Sequence, residues 1–179
     1  MYSYSRRRAF AAGSLAVLCV MPAAIALLVQ HGSLLDPLPV GERVPTIDAM
    51  SIDGRTFVND TADRKKLLLV FFTPACSHCR RELANLDELL PKYADKLDIL
   101  GVSLDNLEST RALTTDLNLR FPIVVGENEK MKKTFKVNIL PSFFCIDEFR
   151  VLRNYYTGEH SLAVDEHLIE DFISSPKAP

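Results

Sequence analysis

Leu67-Leu68-Leu69-Val70-Phe71-Phe72-Thr73-Pro74-Ala75-Cys76-Ser77-His78-Cys79-Arg80-Arg81-Glu82-Leu83 decides the reading of this chain. Its first six residues are an unbroken apolar run, the pattern of a strand buried on both faces. From Ser77 the pattern changes. Leu83, Leu86, Leu89 and Leu90 recur at helical spacing as far as Tyr93, with Pro91 near the end, which predicts a helix over 77–93. Cys76 and Cys79 therefore fall where a buried strand hands over to a helix. Helix N-termini carry unpaired N–H groups and the positive end of the dipole. Both favour a thiolate at Cys76, whose pKa is expected below the free-thiol value of about 8.5. Such a thiolate attacks a disulfide, and Cys79, one turn further in, resolves the mixed disulfide. Ser77 and His78 lie between the two cysteines. They are the expected tuning positions, because a protonated imidazole at His78 would favour the thiolate further.

Outward from this segment, strands and helices alternate. Strands are expected at Thr46–Met50, Thr56–Val58, Leu67–Phe72, Leu97–Leu104, Phe121–Val125, Ser142–Asp147 and Val151–Tyr156. Helices are expected at Ser77–Tyr93, Leu107–Leu117, Lys130–Phe135 and Leu162–Ile173. Turns are expected at Asp53-Gly54 and Glu148–Arg150. Alternation that finishes in a hairpin implies an α/β fold with a mixed central sheet flanked by helices.

The N-terminal part reads differently. Arg6-Arg7-Arg8 precedes Ala9–Val29, which holds no charged residue. That length suits one membrane-spanning helix, and Pro22 is tolerable within it. The charge distribution places residue 1 in the cytoplasm and the rest outside. The expected organisation is a signal anchor at 1–30, an extended linker at 31–44, a folded domain at 45–175 and a tail at 176–179. A cleaved signal at Ala24-Ile25-Ala26, or a twin-arginine signal at Arg7-Arg8, would export the domain as well. The expected location is the bacterial inner membrane with the domain on the periplasmic side, or the soluble periplasm after cleavage.

Composition removes several classes. A net charge of −2 offers no basic field for nucleic acid. The 4 cysteines are too few for a disulfide scaffold. His31, His78, His160 and His167 lack the cysteine partners and spacing of a zinc site, so no metal and no cofactor are expected. Cys19 reads as a small apolar residue of the span, and Cys145, between Phe144 and Ile146, as core.

The segment from Phe71 to Leu83 resembles the active-site segment of membrane-anchored thioredoxin-like proteins of the TlpA/ResA type, within the wider thioredoxin and AhpC/TSA superfamily. The resemblance runs over about residues 45–158. It includes Gly101-Val102-Ser103-Leu104-Asp105 and Leu140-Pro141-Ser142-Phe143-Phe144-Cys145-Ile146-Asp147. It implies a thioredoxin-like fold and a thiol–disulfide oxidoreductase, with Cys76 and Cys79 as the redox-active disulfide. It implies a cis Pro141 beside the cysteines, with Leu140 turned outward to pair with an extended substrate. It makes Glu82 a candidate relay for the Cys79 proton, because at i, i+3 the two share a helix face.

Departures accompany the likeness. Ala75 stands where that family has Trp, Ala84 where it has a helix-kinking Pro, and Val70 where thioredoxin itself has a buried Asp. The family implies a reductase of exported proteins such as apocytochrome c, recharged by a membrane thiol-electron carrier; His78 pulls towards an oxidant. Two rival readings stand beside it. Thr73-Pro74-Ala75-Cys76 matches the T-x-x-C of peroxiredoxins, although Leu69 replaces that family's Pro. A copper- or thiol-handling chaperone could instead use both cysteines as ligands.

Overall fold

The computed structural model describes residues 38–58 and 65–175. Seven strands form one sheet: β1 (Asp48–Ser51), β2 (Thr56–Val58), β3 (Lys66–Phe72), β4 (Leu97–Ser103), β5 (Ile123–Val125), β6 (Ser142–Ile146) and β7 (Leu152–Thr157). Among the described residues four helices accompany them: α1 (Ser77–Tyr93), α2 (Leu107–Asp116), α3 (Asn128–Phe135) and α4 (Leu162–Ser174). The strand order is β2-β1-β5-β4-β3-β6-β7. β3 pairs in parallel with β4, and β4 with β5; β6 and β7 run antiparallel beside them. The expected mixed α/β sheet is the one observed.

β3 is central because every residue from Leu67 to Phe72 has somewhere apolar to go. Leu68, Val70 and Phe72 face Leu83, Leu86 and Leu89 of α1 with Ile169 and Phe172 of α4. Leu67, Leu69 and Phe71 face the other way, onto Met131 and Phe135 of α3. On that second side Phe71, Phe135 and Phe144 form a triangle of rings with centroids 5.0, 5.4 and 5.8 Å apart. Side chains that alternate in this way give both faces of the sheet a core from one apolar run. At Gly101 in β4 a Cβ would stand 2.4 Å from Ile123 Cδ1 and 3.2 Å from Phe72 Cε1, so a side chain there would push Ile123 aside.

Most element ends fall within two residues of expectation, and the shifts have local causes. β3 begins at Lys66, which pairs with Leu97 of β4, and its ammonium binds the last carbonyls of α4, at 2.7 Å to Phe172 O and 3.0 Å to Ile173 O. The β6–β7 turn closes with Arg150 at φ 65° and its N–H on Asp147 O at 2.9 Å. Pro91 lies inside α1 and has no N–H for the carbonyl of Asp87. Arg120 takes that carbonyl instead, while its Nε and backbone N–H bind the Asp87 carboxylate at 2.9 and 2.7 Å.

Residues 38–44 differ from the extended tether read in the sequence. Leu38 and Val44 are buried in the α3-side core. Gly41 N–H binds Leu152 O at 2.8 Å, and Arg43 forms a β-bridge with Val151. Burial of two apolar side chains outweighs the extended preference of the prolines around them. No helix among the described residues is long and apolar enough to cross a membrane. The expected span at 1–30 with Cys19, the first part of the linker and the tail at 176–179 lie outside them.

Candidate active site

The chain leaves β3 at Phe72 and makes a turn in which Cys76 N–H binds Thr73 O at 3.2 Å. Cys76 then serves as the N-cap of α1, with extended backbone and with its side chain accepting from Cys79 N–H at 3.1 Å. A sulfur here takes the place that Ser or Asp holds at most helix starts. It meets an N–H donor at the positive end of a 17-residue helix. Cys76 is part-exposed, whereas Cys79 is fully buried, and both are free thiols. Burial first, then the neighbouring Cys76, push the Cys79 thiol up to about 12. One sulfur can thus be reached from outside, and the other is held as a thiol directly behind it.

The peptide bond between Leu140 and Pro141 is cis, as the resemblance implies. Pro141 is buried, and its carbonyl accepts Gly158 N–H at 2.9 Å. Leu140 and Cys76 are part-buried against the same side of the core.

Glu82 is fully buried on α1. Its Oε1 accepts the backbone N–H of His160. Burial is the main cause that raises its pKa to about 8; the nearby Asp165 and Glu159 carboxylates add to it. The His160 N–H works in the opposite direction. At neutral pH Glu82 therefore carries its proton.

Ser77 and His78 are exposed in the first turn of α1. The polar contacts of His78 turn outward, from Nδ1 to the Glu159 carboxylate and, at 3.0 Å, to Arg81 Nη2. Arg81 also binds Glu159, and that guanidinium holds the Glu159 carboxyl down at about 2. The imidazole is thus engaged in an exposed ionic cluster.

Three residues that sequence reading left aside belong to this neighbourhood: Asp165, His160 and Asn85. Asp165 on α4 is buried, accepts Asn85 Nδ2 at 3.2 Å and stands 3.6 Å from His160 Nδ1. A signal for Asp165 was present. It occupies the stripe of Leu162, Ile169 and Phe172, where helical spacing calls for an apolar side chain. Cys145 is buried, as expected of a core residue, and burial raises its thiol to about 12.

Comparison with known proteins agrees with this geometry. Residues 40–155 match the AhpC/TSA family. The chain is similar to the thioredoxin-like protein YneN of Bacillus subtilis, with 27% identity over 122 residues, 66% of this chain and 71% of that protein. It is similar to the thiol-disulfide oxidoreductase ResA of Bacillus anthracis, with 24% identity over 149 residues, 81% of this chain and 86% of that protein. Among solved structures, the thioredoxin domain of a thiol-disulfide oxidoreductase from Bacteroides vulgatus superposes with a TM-score of 0.67 at 19% identity. That superposition covers 76% of this chain and 99% of that one, and it establishes the thioredoxin-like fold. The chain belongs to the AhpC/TSA family, and it is a thiol–disulfide oxidoreductase with a thioredoxin-like fold.

Proposed function

We propose that this protein reduces disulfides in exported proteins, with Cys76 as nucleophile and Cys79 as resolving thiol. The observation that carries this reading is the contrast between the two sulfurs. Cys76 Sγ receives an N–H at the helix start and is part-exposed, while Cys79 is buried with its pKa pushed up to about 12. In the forward reaction the Cys76 thiolate attacks a substrate disulfide, and one substrate sulfur leaves. Cys79 then loses its proton and attacks Cys76 Sγ, and the second substrate sulfur leaves. The substrate gains the two electrons that the Cys76/Cys79 dithiol gives up. Glu82, buried one turn along α1 from Cys79, serves as its proton carrier. Leu140, packed against the same core cluster as Cys76, and the cis Pro141 after it would offer backbone groups to an extended segment of the substrate.

The location is inferred from the sequence, and the partners from the family resemblance. The apolar stretch Ala9–Val29 behind Arg6-Arg7-Arg8 supports export, with the domain on the periplasmic face of the inner membrane. An apocytochrome c with an unwanted disulfide fits as substrate, and a membrane thiol-electron carrier as the source of electrons. The exposed His78 imidazole contacts Glu159 and Arg81, which weakens the case that it drives the pair towards strong oxidation.

The test is the reduction potential of Cys76/Cys79 in the full chain, measured beside insulin-disulfide reduction and peroxide consumption. A potential near that of thioredoxin, about −270 mV, together with insulin turnover supports the reductase. A value near about −120 mV makes the protein an oxidant. Fast peroxide turnover dependent on Cys76 makes it a peroxidase.

A further inference from the structure

One helical turn along α1 from Cys79, two carboxyl groups from different helices meet in the core. Glu82 comes from α1 and Asp165 from α4, and both are buried. Each has one oxygen satisfied by an N–H donor: Glu82 Oε1 by the His160 backbone, and Asp165 Oδ2 by Asn85 Nδ2 at 3.2 Å. The remaining oxygens, Glu82 Oε2 and Asp165 Oδ1, receive no N–H, and His160 Nδ1 is also without a hydrogen-bond donor or acceptor at bonding distance. One side-chain polar atom from each of Glu82, His160 and Asp165 lies within 4.8 Å of the other two. Two ionised carboxylates at such a distance in a low-dielectric interior repel each other strongly. One proton between them removes a charge and satisfies both orphaned oxygens.

The surroundings support one shared proton. From α1, Asn85 donates to the pair and Arg81 acts at longer range, its guanidinium engaged by Glu159. From β7, the Tyr156 ring packs edge-on to His160 at 5.4 Å, and its hydroxyl is held protonated by burial, with Asp165 and Glu82 contributing. From the segment between β7 and α4, Glu159 adds negative charge. His160 is the part-exposed member, with 22% of its side chain accessible, and so connects the buried pair to solvent.

We propose that Asp165 and His160 are positioning residues of the exchange reaction: Asp165 shares one proton with Glu82, the pair accepts the Cys79 proton as the Cys76–Cys79 disulfide closes, and His160 passes it to solvent. This rests on the disulfide-exchange reading given above. In the closing step the Cys79 S–H bond breaks and its proton goes to the singly protonated pair, which becomes neutral. The Cys79 electron pair forms the bond to Cys76 Sγ. The bond from Cys76 Sγ to the substrate sulfur breaks, and the substrate leaves as a thiolate. The enzyme dithiol is oxidised and the substrate disulfide reduced by the same two electrons. Reduction of the enzyme runs the proton back.

The experiment uses the full chain and a chromogenic aryl disulfide as substrate. Stopped-flow separates formation of the mixed disulfide on Cys76 from its closure by Cys79. In the wild type, closure follows two carboxyl titrations separated by more than a pH unit. Asp165→Asn merges them into one and slows closure at neutral pH tenfold or more, with mixed-disulfide formation unchanged; Asp165→Glu restores much of the rate. His160→Gln slows closure without merging the titrations. Infrared spectroscopy of the wild type shows a buried protonated carboxyl at neutral pH that Glu82→Gln removes, a readout that does not depend on Asp165→Asn folding. An unchanged pH profile in Asp165→Asn overturns the proposal. Equal slowing of both steps with an unchanged profile overturns it too, leaving Asp165 a structural role. Stoichiometric zinc held by the purified chain, with no protonated carboxyl band, also overturns it. Failure of Cys76 to form any mixed disulfide defeats the exchange reading itself, a result distinct from all of these.

Discussion

The backbone N–H of Cys79 donates to Sγ of Cys76 at 3.1 Å, so the proposed resolving cysteine steadies the sulfur it would bond. The same step from Cys76 to Cys79 crosses from the part-exposed helix start into the core. Reactivity should divide along that line. At about pH 8 a thiol with a pKa of about 12 is ionised to roughly one part in ten thousand. Alkylation of the reduced protein near that pH should therefore modify Cys76 at least a hundredfold faster than Cys79 or Cys145. Mass spectrometry of timed quenches reads this directly.

Glu82 ties folding to pH. Its folded pKa of about 8 lies above the ordinary 4.5. Between those values the unfolded chain has lost the proton and the folded chain has kept it. Unfolding then releases a proton, so stability falls as pH rises through that window and levels off above about 8. Glu82→Gln keeps an acceptor for the His160 N–H and has no proton to lose. Urea unfolding across the window should show a wild-type decline on the order of 5 kcal/mol that the variant lacks.

The ring triangle of Phe71, Phe135 and Phe144 lies on the face of the sheet opposite Cys76. Phe135→Ala should cost about 3–5 kcal/mol and lower the Tm. Insulin reduction per folded molecule, measured well below that Tm, should stay near wild type, because the lost packing does not touch the helix start.

Arg120 answers for the amide that Pro91 lacks. Removing its guanidinium leaves the Asp87 carbonyl without that donor and the carboxylate with only the backbone N–H of residue 120. Arg120→Ala should destabilise by about 1–3 kcal/mol. The loss should be smaller in a Pro91→Ala background, where residue 91 again offers an N–H to Asp87. Chemical denaturation of the four proteins of this cycle checks both statements.

Local patterns made much of this legible. α1 was expected over Ser77–Tyr93 and occupies those residues, because the leucine spacing and the change after Ala75 are both local signals. The continuous run before it could serve only a strand with two apolar faces, and β3 has them. What stayed hidden depended on distant chain. Spacing put Glu82 on the face of Cys79, but its partners, the His160 N–H and Asp165 of α4, come some eighty positions later. Asp165 did leave a trace, a carboxylate on an apolar stripe, which is informative only when a second buried carboxylate faces it. Residues 38–44 read as tether from their Pro and Gly, although Leu38 and Val44 find a core through pairing with Val151 and Leu152.

The division of labour between the two cysteines is tested most directly by trapping. Cys79→Ala and Cys76→Ala proteins are each exposed to a disulfide-bonded substrate and examined on non-reducing gels. Cys79→Ala should accumulate a mixed disulfide through Cys76, since nothing remains to release it, and Cys76→Ala should trap none. Trapping by Cys76→Ala with none by Cys79→Ala would contradict the assignment of Cys76 as nucleophile.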